Sequence, residues 1–312
     1  MAHPYQAVLL IAFGGPSSPA EIRPFLARVT KNISIPPERL DEVAHHYEAV
    51  GGKSPLNEIT FRQANALRKA LEAASMKIPV YVGMRNSTPF FIETLRRMAN
   101  KGVRRALGFI LSSHRTEASW ERYQANIADA QTQLGAEAPA IDFCESWHHH
   151  PLFIQTWSEL IDAEFAHVPD DRRNATPIVF TAHSLPVPMA ARSPYVKQLE
   201  TTARLIAEQL GHRHWSLAYQ SRSGKPSDPW LEPDVGAEIG KAAHEGCKEV
   251  VVAPIGFVCD HVEVLYDLDI EAKQIAEDLD VSFHRASCPN DHPTFIRMIA
   301  DVIEQKLKTA VN

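Results

Sequence analysis

The chain has no excess of positive charge. Its 32 lysines and arginines face 38 aspartates and glutamates, for a formal net charge of −6 and a pI of about 6.2. That balance gives no electrostatic footing for nucleic acid or for an anionic membrane surface. Cysteine is scarce as well. Cys144, Cys247, Cys259 and Cys288 form no CxxC pair and no zinc-finger spacing, which suits buried thiols in a reducing compartment and argues against a structural metal or an iron–sulfur cluster. No apolar run reaches the length of a membrane span. The N-terminal stretch MAHPYQAVLLIAFGGP lacks a basic n-region and a cleavage site, so a cytoplasmic protein is expected. What is present is the composition of a soluble globular enzyme, 45% hydrophobic and 22% charged over 312 residues, enough for two ordinary domains or one large one.

Short apolar strands alternate with amphipathic helices. Strands are predicted at residues 7–13, 79–83, 106–111 and 138–144, and again at 177–181, 215–220, 250–253 and 281–284. Helices fall between them, and two of these end at Gly102 and Gly246 in C′-type positions. The halves form a weak repeat: in each, the third strand follows a glycine-terminated helix and leads into a histidine, His114 or His261. Such βα alternation predicts an α/β fold of two doubly wound domains, residues 1–150 and 151–312, each with about four parallel strands covered by helices on both faces. The closing helix is expected to pack back on the first domain.

Two segments invite assignments that the residues do not support. Gly14-Gly15-Pro16 follows a strand, but neither GxGxxG nor GxxxxGK[ST] is present, so the loop reads as a tight turn that lets backbone approach a ligand. His148-His149-His150 are adjacent on a loop and cannot all face one ion.

Chemistry concentrates where strands end, since open α/β sheets bind ligands at their carboxyl ends. The run from Val250 to Ala253 breaks at Pro254 and Gly256 and delivers Asp260, His261 and Glu263 together. Asp267 and Glu271 follow in steps of four, on one helical face. A solvated face has the same spacing. His183 leaves another strand in the same half, so one sheet can present His183 and Glu263 to one pocket. An imidazole beside a carboxylate can handle protons or bind a divalent metal. Phe13, Tyr47, Tyr123, Trp230 and the Leu185–Met189 loop offer an apolar lining for a flat ligand, though aromatics also fill cores.

Several of these stretches resemble the ferrochelatase family. They are Thr181-Ala182-His183-Ser184-Leu185-Pro186, Tyr219-Gln220-Ser221-Arg222, Pro229-Trp230-Leu231-Glu232-Pro233, and the run from Pro254 to Glu263. Ala12-Phe13-Gly14-Gly15-Pro16 and the Tyr47-to-Leu56 segment with its GGxSPL core belong with them. The likeness covers nearly the whole chain in the same order. It implies two Rossmann-like domains, each with a four-stranded parallel sheet, and a porphyrin in the cleft between them. The implied activity is insertion of Fe²⁺ into coproporphyrin III or protoporphyrin IX in haem synthesis. By the same resemblance His183 is the active-site histidine, Glu263 its acidic and metal-handling partner, and Asp267 and Glu271 a path for metal or protons. Ser54 and Tyr123 match positions that touch the porphyrin.

Departures from the family pattern are equally specific. Phe13 stands where coproporphyrin-using relatives often place an iron-ligating tyrosine, although the motifs as a whole resemble those enzymes slightly more. His46, with Thr30 nearby, stands where some relatives place an arginine against a propionate. Trp120 falls near a position where certain relatives carry a cluster cysteine, so no [2Fe–2S] centre and no permanently bound cofactor are expected. A monomer is expected, with no transmembrane segment and only peripheral membrane or haem-pathway protein contacts. A cobalt or nickel chelatase shares the expected fold. A non-catalytic porphyrin carrier would need the aromatic cleft but not the His183–Glu263 pair.

Overall fold

The computed structural model describes residues 4–31, 36–223 and 228–310. Ile35, expected to interrupt two helices, and Gly224, expected at a strand exit, lie outside them, as do the first three and last two residues. The first half runs β1 (Ala7–Ala12), α1 (Pro19–Val29), α2 (Pro37–Ala49), α3 (Leu56–Ala73), β2 (Val80–Met84), α4 (Phe91–Asn100), β3 (Arg105–Ile110), α5 (Arg122–Leu134) and β4 (Ala140–Phe143). The second runs α6 (Pro151–Phe165), β5 (Ile178–His183), α7 (Val187–Ala190), α8 (Tyr195–Leu210), β6 (Trp215–Gln220), α9 (Val235–His244), β7 (Glu249–Ala253), α10 (Val262–Leu265), α11 (Lys273–Asp278), β8 (Ser282–Arg285) and α12 (Pro293–Thr309).

The strands form two four-stranded sheets, ordered β2-β1-β3-β4 and β6-β5-β7-β8, and every pairing is parallel. The two orders are the same, so the faint sequence repeat is a repeat of topology. In each sheet the connections diverge between the two central strands. That is the switch point where a crevice opens beyond the carboxyl ends. β1 and β7 are buried along their whole length, which is why they read as continuous apolar runs rather than alternating ones.

One core spans both sheets. Phe109, Trp147, Phe153, Phe180 and Phe295 belong to a single buried cluster, with Trp147 stacked on Phe109 at 5.5 Å and edge-on to Phe153 at 4.9 Å. Burying a phenylalanine side chain is worth roughly 1.5–3 kcal/mol in transfer free energy. The segment joining the halves is therefore packed rather than a free linker. The closing α12 lies against α3 and β3 as well as α6. Among the described residues no helix is long and apolar enough to cross a membrane.

Two helices differ from the sequence expectation. The stretch from Glu117 to Gln133, whose sequence reads as one helix, opens with a π-turn, Glu117–Glu121, capped by the Thr116 side chain. The acidic stretch after Glu263 is not one α-helix but the single turn of α10, a π-helical Asp267–Ala272, and α11. The Tyr266 carbonyl accepts from both Ile270 and Glu271 at 3.1 Å, and the second is an i+5 bond that widens the turn. Such π segments recur at functional sites.

Candidate active site

Residues at the carboxyl ends of β1, β3, β5 and β7 face one cavity of about 300 Å³, at the lower end of the range for small-molecule sites. Its lining includes Phe13 and Gly14 after β1, Ser112 and His114 after β3, His183 at the end of β5, and Gly256 to Cys259 with Glu263 after β7. α2 adds Tyr47, α5 adds Tyr123, and Ser54 comes from the turn before α3. Two glycines make these approaches possible. Gly14 has φ +82°, a region other residues rarely adopt, and a Cβ there would meet the Ser87 backbone at 3.0 Å. A Cβ on Gly256 would lie 2.6 Å from the Ala182 Cβ and 2.7 Å from its Cα. Only hydrogen at Gly256 lets the loop after β7 lie against the end of β5.

That contact brings the two proposed reactive groups together. His183 Nε2 lies 3.7 Å from Glu263 Oε1, and His183 Nδ1 lies 2.5 Å from the Ser184 carbonyl. The carbonyl fixes the tautomer: Nδ1 carries a proton and Nε2 faces the carboxylate. Burial disfavours the imidazolium, but the facing Glu263 carboxylate outweighs it, helped by the Ser184 carbonyl and Asp267. The His183 pKa rises to about 9. Burial likewise disfavours the Glu263 carboxylate, and the facing His183 charge more than reverses this, to about 2. At neutral pH the pair is imidazolium and carboxylate.

Neighbours assigned no site role from the sequence hold this geometry. The Thr181 hydroxyl donates to Gln220 Oε1 at 2.8 Å, and Gln220 Nε2 donates to the Glu263 carbonyl at 2.7 Å. Tyr195 donates its hydroxyl to the His183 carbonyl at 3.0 Å. The signal was available: Thr181 and Gln220 are polar residues buried in otherwise apolar strands, and such groups are kept only with partners. Gln63 was also missed. It lines the cavity, with Nε2 on the Asn290 carbonyl at 2.8 Å and Oε1 buried without a partner among the described residues.

The acids behind Glu263 grade from half-buried to exposed. Burial pushes the Asp267 pKa up, opposed by a hydrogen bond from Ser221 and supported by the Glu263 and Glu271 charges, to about 7. Glu271, at the exposed end, is raised by burial and then by Glu42. Asp260, delivered by the same strand exit, has a different job. It accepts from Arg285 Nη1 at 2.9 Å and Asn290 Nδ2 at 2.6 Å. Arg285 also grips Asp269 through Nε at 2.5 Å and Nη2 at 2.9 Å, so this bidentate clamp anchors the loop and the π-turn. His261 caps α10 by accepting from the Glu263 amide at 3.2 Å.

Of the residues read from the sequence as touching a porphyrin, Phe13, Tyr47, Ser54 and Tyr123 line the cavity. Thr30, His46 and Trp230 lie outside its lining. The Thr30 hydroxyl donates to the Leu26 carbonyl at 2.8 Å. His46 stacks on Tyr266 at 3.7 Å, and Trp230 bridges to Pro186. His114, the strand-end histidine of the first half, is buried between Ser113 Oγ at 2.8 Å and Thr202 Oγ1 at 3.0 Å. Burial holds it neutral, with a pKa near 3. The triple histidine divides its labour: His148 meets Ser146 Oγ at 3.0 Å, while His150 caps α6 and pairs with Asp301 at 2.9 Å. Trp120 is buried and donates its indole N–H to the Ser112 carbonyl at 3.1 Å. Among the described residues no group of three or more His, Cys, Asp or Glu side chains is arranged to hold a metal.

Comparison with known proteins agrees with this architecture. SirB from Bacillus subtilis, solved with Fe³⁺, superposes with a TM-score of 0.59 at 10% identity, covering 97% of this chain and 96% of that one. A SirB complex with cobalt gives the same values. At that identity the likeness speaks for the fold alone. Sequence relatives are nearer. A coproporphyrin III ferrochelatase of Mycolicibacterium smegmatis is 39% identical over 97% of this chain and 90% of its own length. A ferrochelatase of Rhodopirellula baltica is also 39% identical, over 97% and 87%. A coproporphyrin III ferrochelatase of Mycolicibacterium paratuberculosis reaches 42%, over 96% and 88%. The sequence model described as Ferrochelatase matches residues 5–307, and with strand-end motifs, paired sheets and relatives in agreement, the chain belongs to the ferrochelatase family.

Proposed function

We propose that this chain is a metal chelatase that inserts Fe²⁺ into a porphyrin for haem synthesis, with coproporphyrin III as substrate. The observation that carries the reading is His183 Nε2 facing Glu263 at 3.7 Å, in a cavity walled by Phe13, Tyr47 and Tyr123. Metallation exchanges two pyrrole N–H protons for one dication, so porphyrin and Fe²⁺ go to iron porphyrin and two protons. The site must therefore supply a base and an exit for protons. In its neutral form, the minor one at pH 7, His183 keeps its Nδ1 proton on Ser184 and offers Nε2 to a pyrrole proton or to the incoming metal. Glu263 stabilises the imidazolium that results. Asp267, titrating near neutral pH, and exposed Glu271 extend the carboxylate row outward as a route for metal or protons. Fe²⁺ enters as substrate, and no resident cofactor belongs to this reading. Work in the cytoplasm as a monomer, in the lyase class, is part of it.

The test is anaerobic insertion of Fe²⁺ into coproporphyrin III and protoporphyrin IX, measured side by side. A higher kcat/KM for coproporphyrin III is expected. Equal values or a preference for protoporphyrin IX would overturn the substrate assignment. Turnover of neither, with porphyrin still bound, would make the chain a carrier, and turnover with Co²⁺ or Ni²⁺ but not Fe²⁺ would change the metal.

Asp267→Asn separates function from stability. Because folding raises the Asp267 pKa from 3.8 to about 7, the unfolded chain releases this proton first, and folding stability falls as pH rises between those values. The variant is expected to be more stable than the parent at pH 8 by about 1–2 kcal/mol, after allowance for partial exposure. Its Fe²⁺ KM is expected to rise several-fold. An unchanged metal dependence would remove Asp267 from the route.

A further inference from the structure

Among the described residues, no lysine or arginine lines the cleft that holds His183 and Glu263. A substrate bearing several propionates must find its cations elsewhere. Four of them surround a second pocket, formed where the end of α1, the exit of β2, the start of α4 and one face of α5 meet. Arg28, Lys31, Arg85 and Arg122 line it, with Asp129 as the one acid. Among the described residues none of these four cations forms an ion pair. Arg28 spends its Nε on the Asn86 carbonyl at 2.9 Å and keeps its terminal nitrogens. Burial, reinforced by Arg122 and opposed by Tyr123, pulls the Arg85 pKa down, as expected for a half-buried charge lacking an anion.

The amides of the pocket are also incomplete. Asn86 is 4% exposed, and among the described residues its Nδ2 is a buried donor without an acceptor, while the Oδ1 of Asn126 is a buried acceptor without a donor. An unmade buried hydrogen bond costs about 1–3 kcal/mol. A carboxylate oxygen beside Asn86 would satisfy the first after a small side-chain rotation. Turning the Asn126 amide by a half-rotation would present a second donor.

The pocket adjoins the cleft. The Arg85 guanidinium lies 5.9 Å from the centre of the Phe13 ring, and Arg122 is followed directly by Tyr123. Both aromatics line the cavity. On the neighbouring lip, Thr30 is bonded within its own helix and His46 is stacked on Tyr266, with its pKa lowered by burial and then by Arg39. Neither offers a standing positive charge. We propose that Arg28, Arg85, Arg122 and Asn86 form a carboxylate-binding pocket, and that it takes a propionate at the edge of a tetrapyrrole in the cleft. This rests on the reading of the cleft as a porphyrin site. It also makes the pocket a determinant of substrate choice, since coproporphyrin III carries four propionates and protoporphyrin IX two.

The test uses the full chain with Arg28→Gln and Arg122→Gln combined, and Arg104→Gln as a control that removes a charge elsewhere. Circular dichroism and Tm establish that each variant folds. Dissociation constants for metal-free coproporphyrin III and its tetramethyl ester are read by fluorescence quenching, independently of turnover. The double variant is expected to bind coproporphyrin III about tenfold more weakly, as for loss of charge-assisted hydrogen bonds. Its affinity for the ester and its kcat are expected to change less than about twofold. A parallel arm measures the Tm gained with citrate. If porphyrin affinity is unchanged but citrate protection is lost in the double variant, the carboxylate site stands with a free acid as occupant and the propionate assignment falls. Equal weakening in Arg104→Gln, or no change in either arm, overturns the site. If the parent chain binds no porphyrin, the reading of the cleft fails while the citrate arm still reports on the pocket.

Discussion

Replacing His183 with alanine is expected to lower the rate of Fe²⁺ insertion by about 10³-fold, within the range for loss of a positioned acid–base group, while porphyrin affinity changes less than about threefold. The asymmetry follows from position. Phe13, Tyr47 and Tyr123 line the cavity and on the proposed reading would hold the flat ring, whereas His183 would meet only its centre. Equal losses of binding and turnover, measured by quenching and by anaerobic assay, would assign His183 to the wall rather than to the chemistry.

The pH profile gives an independent check. With its pKa at about 9, the neutral, reactive form of His183 grows about tenfold per pH unit below that value, so kcat/KM should climb from pH 7 toward pH 9. Glu263→Gln removes the chief cause of the raised pKa and leaves burial, which acts in the opposite direction. With the Ser184 carbonyl and Asp267 still favouring the imidazolium, the midpoint of this limb should fall from about 9 toward the ordinary histidine value of about 6.5. An unmoved midpoint would show that the limb belongs to another group. The ion pair also contributes to stability. The His183 contribution is full below about pH 6.5 and is lost as pH rises through about 9. The Glu263 contribution is present above about pH 4.5 and is lost as pH falls through about 2.

Gly256→Ala is the second large effect. The added methyl would sit 2.6 Å from the Ala182 Cβ and 2.7 Å from its Cα, and the second of these is backbone, which cannot turn aside. The loop after β7 must move away from β5 and carry Glu263 from His183. Overpacking of this kind costs about 1–3 kcal/mol, and a displacement near 1 Å at a reacting pair can cost about 10²-fold in rate. The variant should therefore fold, with a Tm lower by several degrees, and should lose most of its turnover. It should also shift the pH limb downward, as Glu263→Gln does. A variant with unchanged rate and unchanged pH profile would show that the close approach at Gly256 does not set the His183–Glu263 distance.

The strands and most helices were legible because their signals are local. Runs such as Val250 to Ala253 are buried on both faces, and Gly102 and Gly246 adopt the positive φ that marks a helix end. The π-turn at Asp267–Ala272 was not legible, since one i+5 bond on the Tyr266 carbonyl leaves no mark on residue spacing. Nor was the role of Asp260. Its sequence neighbours pointed to the site, but Arg285 and Asn290, distant in the chain, claim it.

Sequence alone determined that the chain would form two βα halves, and it named His183 and Glu263 as candidates at strand ends, because hydrophobic periodicity and motif order are properties of the chain itself. Only the tertiary structure decided which strand-end groups meet. It set Glu263 against His183 through the missing side chain of Gly256, and it sent His114 into a buried network. Outside the cleft it gathered four arginine and lysine side chains into one pocket. Those outcomes rest on close approach and desolvation between residues far apart in the chain, which linear spacing does not encode.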